Sequence, residues 1–468
     1  MLNMRKLLLG VSLLWVIWGS MEAQQTVRIN DIQIQGNQKT RDRIILREIL
    51  FSKGDILPDS IFASQLERSK QLVMNTGLFN EAIFTVEEPD EGAVDILIKV
   101  AEAWYIYPVP VFELIDRNFN VWWVEQNRSL DRINFGIEFA HLNFTGQKDK
   151  LKLTAKSGYT QSYSLKYSLP FIDRAQTLGI LTEVGYSRNR ELNYNSVDNK
   201  QLFFRDPDGR FILQRFQAVS GLVYRPGHHL THSLRLRYQQ NQIDSHIANE
   251  LNPDFFLDGK KLQRAFFLNY HFIYDFRDVR SYPLSGNLFS AEIRKEGLGI
   301  YKDRNALTVN LHYDHYWPLS DAWSTGFNIS TKASLIRRQQ PFNEYRALGF
   351  GRNVLYGYEY YVVNGMDMGL AKGFLRFRLT EDELKFGKFI PIKAFRKMPI
   401  KVYLNLNQGV GYVNDPYTRE INPFSNRLLW GGGLGVDVVL YYDKVFRVQY
   451  SYNHLLEHGL FLHFNTNI

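Results

Sequence analysis

The sequence contains no cysteine among its 468 residues. This absence excludes a disulfide framework, a thiol nucleophile and a zinc site built from thiolates. The sequence also lacks any apolar run of 18 or more residues, the length that identifies a membrane-spanning helix. A bundle of transmembrane helices is therefore excluded as well.

A strong excess of one charge is also missing. The formal net charge is +8, and the basic residues are spread along the chain, so the sequence does not indicate a nucleic-acid partner. Apolar residues make up 45% of the chain and aromatic residues 15%, which is too much for a disordered protein. Length alone suggests about three soluble domains, but that expectation fails for large β-barrels.

The first 23 residues have the pattern of a signal peptide. Arg5 and Lys6 precede the apolar stretch Leu7–Trp18, and small and polar residues follow up to Ala23. The alternative is an uncleaved membrane anchor, but this apolar stretch is shorter than the ~20 residues that a membrane span needs. We expect cleavage after Ala23 and export, which for a cysteine-free chain is typical of the bacterial envelope.

Residues 24–102 are predicted to form a small α/β domain. Strands are expected at Val27–Ile34, Glu81–Glu87 and Val94–Val100, where apolar and polar residues alternate. Two helices are expected between the first and second strands, with Thr40 and Asp59 as their N-caps. The predicted order is β-α-α-β-β. The apolar faces of the helices would carry Ile44, Ile45 and Ile49 in the first, and Phe62, Leu66 and Val73 in the second.

This region contains the motifs Ile32-x-Ile34-x-Gly36-Asn37-x-x-Thr40, Arg47-Glu48, Gly77-Leu78-Phe79 and Val100-x-Glu102. They resemble the motifs of a POTRA domain. POTRA domains stand in the periplasm in front of the barrels of the BamA/TamA superfamily of outer-membrane assembly and secretion proteins. Any small domain with this element order could show such a pattern, and the predicted barrel that follows favours the POTRA interpretation.

Residues 103–468 are predicted to form a transmembrane β-barrel of about sixteen antiparallel strands. Segments of roughly 9–15 residues alternate apolar and polar side chains, and an even number of strands is typical of bacterial barrels. Leu234 and Leu236, for example, alternate with Arg235 and Arg237. So many cations would be very costly inside a soluble sandwich but cost little in a wet lumen.

The lengths of the connections give this barrel an orientation. If the small domain is periplasmic and the first strand, near Tyr105–Leu114, runs outward, every second connection is periplasmic. Those connections are short, except for a long basic one at Thr380–Pro399. The short ones are Phe144–Lys148, Phe171–Gln176, Pro226–His228, Leu319–Ala322 and Tyr442–Lys444, and the long outward ones are Asn189–Arg210, Asp244–Lys261, Arg337–Met366 and Asn414–Arg427.

Two features of the barrel region resemble the same superfamily. The first is a strand–turn–strand element, which we interpret as a turn held by an ion pair. Its residues are Tyr274, Asp275, Arg277 and Asp278, with Pro283 and Gly286 following. The second is the loop Arg337–Met366, which takes the place of the sixth loop that folds into the barrel in the family.

In the family, the tip of that loop carries an Arg-Gly-aromatic sequence that reaches an acidic partner on the inner wall. Here Gly357 and Tyr358 are present, but Tyr356 occupies the arginine position. This departure puts the usual salt bridge in doubt. Arg352 is the candidate that we consider for supplying the missing charge.

The first and last strands form the predicted seam of the barrel. Pro108 and Pro110 lie in the first strand, and proline cannot donate to a strand ladder, so we expect weak pairing there. The last strand, Gly459–Ile468, resembles an outer-membrane targeting strand, although it ends in Ile instead of an aromatic residue. It is predicted to place Leu460, Leu462 and Phe464 outward.

The chain offers no catalytic constellation, and we expect neither an enzyme nor a cofactor. The sequence His454-Leu-Leu-Glu457-His458 spells an inverted zinc-protease motif, but that motif works only on a helix, and here it falls in a turn. His228, His229 and His232 cluster at another short turn, where a metal site is the less favoured interpretation.

The preferred hypothesis is an outer-membrane assembly factor. The resemblance implies that the POTRA domain receives unfolded client chains and that the barrel opens at its seam to insert them. Its partners would be unfolded outer-membrane or secreted proteins, outer-membrane lipid and accessory envelope proteins. Two alternatives remain open. One is a secretion pore of the same superfamily, although such pores often carry two POTRA domains and a plug helix that this sequence does not show. The other is a barrel-anchored surface receptor or adhesin.

Overall fold

A computed structural model describes residues 26–466 apart from 91, 174, 228, 386–396, 419 and 441–443. The predicted signal peptide, His228 and Ile468 lie outside the described residues. Within the described part of the chain, no helix combines the length and apolar character needed to cross a membrane. The chain divides into two compact units. One contains the residues up to Tyr107 together with His141–Lys150, and the other contains Pro108–Ala140 and Leu151–Ile468.

The first unit contains the predicted small α/β domain. Its strands are ordered β2-β1-β4-β3, with β1 parallel to β4 and the other neighbours antiparallel. The predicted β-α-α-β-β order is present, with one additional strand, β2, that is too short to give a sequence pattern. The elements are β1 (Thr26–Gln35), α1 (Asp42–Leu46), β2 (Ile56–Pro58), α2 (Asp59–Asn75), β3 (Phe79–Asp90) and β4 (Ala93–Glu102).

The apolar core of this unit lies between the sheet and the two helices. Ile29, Ile45, Val73 and Ile98 are fully buried there. Burying a side chain of this size contributes about 1.5–3 kcal/mol, so these contacts stabilise the unit.

Both helix caps predicted from the sequence are wrong. The N-cap of α1 is Arg41, and the Thr40 hydroxyl instead lies 3.0 Å from the Tyr105 hydroxyl and accepts a hydrogen bond from Asn143. These partners are distant in sequence, so a local pattern could not reveal them. Asp59 is the first residue of α2, whose N-cap is Pro58, and no side chain caps that helix.

The second unit contains most of a sixteen-stranded antiparallel sheet, which confirms the predicted strand number. Two short hairpins, β10–β11 and β18–β19, lie outside this sheet. The strands are β5 (Ile106–Leu114), β6 (Ile133–Leu142), β7 (Lys150–Gly158), β8 (Thr160–Leu169), β9 (Leu178–Asn189), β10 (Glu191–Val197), β11 (Lys200–Arg205), β12 (Leu213–Tyr224), β13 (Leu230–Ile243), β14 (Leu262–Asp275), β15 (Gly286–Glu296), β16 (Ala306–Pro318), β17 (Trp323–Ser334), β18 (Arg346–Leu348), β19 (Val363–Asn364), β20 (Asp367–Lys385), β21 (Lys397–Asn414), β22 (Leu428–Val439), β23 (Lys444–Asn453) and β24 (His458–Thr466).

Alternation along these strands separates an apolar face from a polar one. Leu404 and Leu406 of β21 are 44% and 52% exposed, whereas their neighbours Asn405 and Asn407 are 2% exposed. The polar face is therefore the buried inner face of the sheet, as expected for a barrel whose outer face meets lipid.

One predicted connection is too long. The sequence predicts a long connection over Thr380–Pro399, but β20 continues to Lys385 and β21 begins at Lys397, and residues 386–396 lie outside the described residues. Across this pair the Nζ atom of Lys401 lies 2.6 Å from an Oε atom of Glu381. Opposite charges facing one another across neighbouring strands support pairing in a stretch that has too few apolar residues to show a strand period.

Candidate functional site

The predicted POTRA motif is held together by contacts inside the first unit. Gly36 has φ +92°, and a side chain there would collide with the main-chain oxygen of Val100. The Glu102 carboxylate accepts hydrogen bonds from the main-chain N–H groups of Lys39 and Thr40. Asn37 donates its side-chain amide to Thr40 O at 2.9 Å. The Gly-Asn turn is thus fixed to the end of β4.

The Gly77-Leu78-Phe79 sequence joins α2 to β3. Gly77 has φ +70° and follows the C-cap Thr76, the position where glycine tolerates the left-handed backbone that ends a helix. Leu78 and Phe79 are both buried in the core. This junction therefore sets the position of β3, the edge strand of the small sheet.

The open edge of β3 is the first candidate binding surface. In the described sheet β3 pairs only with β4, and β3 is twelve residues long. An unpaired strand edge offers main-chain donors and acceptors to an extended peptide without regard to its sequence. Ile83 on this strand is 46% exposed, so its apolar side chain is accessible to such a peptide.

The strand–turn–strand element joins β14 to β15 and is held by ion pairs. The Arg277 guanidinium makes two bonds to the Asp275 carboxylate, at 2.8 and 3.0 Å. Both Asp278 oxygens accept the main-chain N–H of Leu284, and a side chain at Gly286 would collide with Phe276 O. Asp275 and Arg277 therefore hold the turn by an ion pair, while Asp278 and Gly286 fix its backbone.

This turn also reaches the inner wall of the sheet. The Tyr282 hydroxyl donates a hydrogen bond to Asp437 of β22, and Pro283 O accepts one from Arg376 of β20. Arg376 is 7% exposed, and its guanidinium lies 4.2 Å from the centre of the Tyr282 ring. Sequence reasoning missed Tyr282, because its partners lie about 90 and 155 residues away in the chain.

The loop between β17 and β20 packs against the inner wall through an apolar cluster. Leu348 and Leu355 of the loop are fully buried. Glycines of β21 make room for them, because a Cβ atom at Gly409 would lie 2.8 Å from a Leu355 methyl, and one at Gly411 equally close to a Leu348 methyl. The wall residues in the cluster are Met368, Leu370, Val413 and Leu429.

The tip of this loop contacts β22 and β23. Gly357 has φ +80°, and a side chain there would collide with Tyr452 O. Asn453 donates its side-chain amide to Gly357 O at 2.9 Å. Tyr358 is fully buried, and its hydroxyl is hydrogen-bonded to His454. The loop tip is thus fixed to the wall by main-chain and aromatic contacts.

The carboxylate on the inner wall pairs with an arginine of the wall itself, and not with an arginine of the loop tip. Arg447 of β23 bonds the Asp437 carboxylate through two nitrogens, at 2.6 and 2.8 Å. Tyr356 lines the same cavity as Arg447. The Arg352 side chain is exposed and makes no ion pair with any residue that the structure describes. Arg447, and not Arg352, therefore neutralises the wall carboxylate.

Glu359, two residues beyond the tip glycine, is a buried carboxyl that sequence reasoning missed. It is 1% exposed, and neither oxygen has a hydrogen-bond partner among the described residues. The Nε2 atom of His463 lies 3.9 Å from a Glu359 carboxyl oxygen, beyond hydrogen-bond distance. Burial raises the pKa of Glu359 to about 8.

These groups surround a cavity of about 980 Å³ in the second unit. Both signs of charge line it, and the basic side chains are more numerous. The basic side chains include Arg277, Arg280, Arg352, Lys372, Arg376 and Arg447. The acidic side chains include Asp116, Asp314 and Glu359. The cavity has charged and apolar side chains in its lining, and it contains no group of three or more candidate metal ligands among the described residues.

The first and last strands are the two ends of the sheet. The described strand order ends at β5 on one side and β24 on the other. Pro108 and Pro110 lie in β5 and are exposed. On β24, Leu460 and Phe464 are 58% and 50% exposed, and Leu462 is half-buried. The residues proposed for the seam therefore lie on the two terminal strands.

The histidines of the zinc-like spelling have other partners. His454 contacts Tyr358, as described above, and Glu457 accepts hydrogen bonds from Asn453 and Tyr361.

The histidines of the other turn also pack against neighbouring residues. His229 stacks on Phe276 with ring centres 3.8 Å apart, and His232 lies within hydrogen-bond distance of the Tyr270 hydroxyl. Each of these side chains supports packing between strands and loops.

Comparisons with known proteins agree with this architecture. Residues 27–103 match the POTRA family model, described as a surface antigen variable number repeat, and residues 143–369 match the Omp85 superfamily domain. A segment of 80 residues is 35% identical to the outer membrane protein assembly factor BamA of Nitratidesulfovibrio vulgaris. That segment is 17% of this chain and only 10% of the relative.

Solved structures show the same fold. BamA from Haemophilus ducreyi lacking POTRA domains 1–3 superimposes with a TM-score of 0.62 at 14% identity, covering 93% of this chain and 83% of that one. CdiB from Escherichia coli superimposes with a TM-score of 0.55 at 11% identity, covering 94% of this chain and 76% of that one. CdiB from Acinetobacter baumannii superimposes with a TM-score of 0.52 at 14% identity, covering 94% of this chain and 73% of that one.

The small domain, the sixteen-stranded sheet and the matched family models lead to one conclusion. The fold is a membrane β-barrel preceded by a POTRA domain, and the location is the bacterial outer membrane. The chain belongs to the BamA/TamA superfamily, also called Omp85, whose members serve protein assembly or secretion at that membrane.

Proposed function

We propose that this protein inserts unfolded client proteins into the outer membrane through the seam between β5 and β24. The observation that carries the proposal is the pair of terminal strands, which are not paired with each other in the described sheet. Pro108 and Pro110 remove two donors from β5, so pairing across the seam is weaker than elsewhere.

The small domain supplies the receiving surface. With this domain in the periplasm, the open edge of β3 accepts a client segment by adding it to the sheet as a further strand. The main-chain bonds of such pairing need no particular client sequence. The free energy of insertion then comes from burying the client's apolar side chains in lipid, without a nucleotide.

A secretion pore is the second candidate, and the cavity of about 980 Å³ with its charged side chains is the observation that favours it. In that function the loop between β17 and β20 would act as a plug, and a client would pass through the lumen. The two functions predict different fates for client proteins when the protein is missing.

Depletion followed by quantitative proteomics of the membrane and secreted fractions tests the proposal. Insertion predicts that several unrelated barrels leave the outer membrane and accumulate misfolded in the periplasm. If the barrels stay normal while a single secreted or surface protein disappears, the insertion function is wrong and a dedicated pore replaces it. Complementation with the wild-type chain serves as the control.

A further inference from the structure

The edge of β24 that faces away from β23 is occupied by a side chain. Asn120 donates its Nδ2 hydrogen to Leu460 O at 2.6 Å, and Leu462 N–H donates to Asn120 Oδ1 at 2.8 Å. Asn120 is 8% exposed. One carboxamide therefore binds both an acceptor and a donor of the strand's main chain.

These main-chain groups are the ones that a neighbouring strand would use. Alternate residues of an antiparallel strand direct their N–H and C=O groups to opposite edges, so Leu460 and Leu462 share an edge. β23 pairs along the other edge. A carboxamide has the same donor and acceptor atoms as a peptide group. The Asn120 side chain thus takes the place of one peptide of an absent neighbour.

Aromatic contacts hold this carboxamide in position. We call Arg117–Trp123 the seam segment. Its Phe119 ring lies 5.6 Å from the ring of Phe464 on β24, nearly edge-on, and 5.4 Å from Trp123 in a stacked arrangement. Such aromatic pairs attract one another beyond the effect of the area that they bury. The seam segment therefore contacts both the main chain and a side chain of β24.

The same segment is bonded to the loop between β17 and β20. Arg117 donates from Nη1 to the main-chain oxygens of Gly349 and Tyr361, each at 3.1 Å. Asn118 donates from Nδ2 to Glu359 O at 2.7 Å. Seven consecutive residues thus connect the loop to the edge of the last strand.

We propose that Asn120 is a displaceable cap, which covers the edge of β24 until an extended client segment pairs with Leu460 and Leu462. The identity of this occupant rests on the proposed insertion function. The displacing partner must bring main-chain donors and acceptors, which every extended polypeptide carries. An uncapped strand edge would pair with any available strand, so a cap also protects the resting protein from aggregation.

Hydrogen–deuterium exchange on the full chain in lipid nanodiscs tests the cap directly. Asn120→Leu removes both hydrogen bonds while keeping the side-chain size, and Asn120→Ala repeats the test without added apolar bulk. Exchange at the Leu462 amide is expected to accelerate by at least about fivefold in both variants, with β13 and β14 unchanged. Asn249→Leu, at an exposed position of another loop, is the matched control.

A peptide with the sequence of residues 459–468 serves as the extended probe. It is expected to protect the Leu460–Phe464 amides and to bind the Asn120→Leu protein at least about fivefold more tightly than the wild type, because the cap no longer competes. Equal affinity for the two proteins would contradict displacement, and unchanged exchange at Leu462 in both variants would contradict the cap itself.

An insertion assay separates this proposal from the proposed function. Liposomes containing the wild type or Asn120→Leu are given a urea-unfolded outer-membrane barrel, and its folding is followed by heat-modifiable gel mobility. Faster insertion by the variant supports both ideas together. If exchange and peptide binding change as expected while neither protein inserts the client, the cap stands and the insertion function fails.

Discussion

The two units of this protein use alternating strands in opposite ways. In the small unit, β4 directs Ile96 and Ile98 into a dry core, where they are 1% and 0% exposed. In the large sheet, β21 directs Leu404 and Leu406 outward and buries asparagines. The same period of two therefore stabilises one unit through apolar burial and leaves the interior of the other to hydrogen bonds and ion pairs. Substitutions should separate these two kinds of interior.

The largest effect is expected from breaking the buried ion pair of the large sheet. Asp437→Ala leaves Arg447 without its carboxylate and should destabilise the sheet by about 3–5 kcal/mol in urea unfolding from detergent. Asp131, which pairs with Arg205 at an exposed site, is the matched control, and its alanine variant should lose about 0–1 kcal/mol. Adding Arg447→Leu to Asp437→Ala should restore part of the loss. Equal effects at the two pairs would contradict a polar interior.

The second-largest effect is expected from shortening a buried apolar side chain of the small unit, compared with an outward-facing one of the large sheet. Ile45→Ala creates a cavity in the core of the small unit and should cost about 2–5 kcal/mol. Leu434→Ala, on the 64% exposed outer face of β22, should cost about 0.6 kcal/mol or less. Thermal unfolding of each variant in nanodiscs measures the difference. Similar losses at both sites would show that the outer face is packed like a core.

Much of this contrast could be predicted from the sequence. The strand period, the strand number and the inner position of the charged residues follow from the alternation of apolar and polar residues. That alternation can be recognised in the sequence because successive residues of a strand point to opposite faces of the sheet. The cap assigned to Thr40 failed because its partner Asn143 is 103 residues away. The packing of the loop on Gly409 and Gly411 could not be predicted either, because a glycine in a strand does not reveal which loop side chain will contact it.

The third prediction concerns the loop tip. Gly357→Ala places a methyl group against Tyr452 O at a positive φ, and such strain costs about 1–3 kcal/mol. We expect the tip to leave the wall and the single-channel conductance in planar bilayers to rise. Gly351, in the same loop, also has a positive φ, but its Cβ would meet nothing within 4 Å. Conductance that rises equally in Gly351→Ala would contradict the contact.

The fourth prediction concerns the pH dependence of the loop. Because burial raises the pKa of Glu359 to about 8, the folded loop keeps a proton that the released loop loses above its ordinary value of 4.5. Its contribution to loop stability therefore falls as pH rises from about 4.5 to about 8 and is constant above that.

Glu359→Gln should remove this dependence. The rate of protease cleavage within residues 335–366 should rise with pH in the wild type and stay nearly level in the variant. Glu420→Gln, at an exposed position in another loop, is the control and should follow the wild type. A wild-type rate that does not change between pH 5 and 8 would contradict the buried, uncharged carboxyl.

The most direct test of the central claim is reconstitution with a seam that can be locked. The chain has no cysteine, so a pair introduced at Val109 and Leu462 supplies the only thiols for a reversible cross-link between β5 and β24. Folding of a urea-unfolded barrel client into liposomes is then measured before locking, after locking and after reduction. Insertion through the seam predicts loss of client folding on locking and recovery on reduction. Undiminished folding with the seam locked would contradict the account.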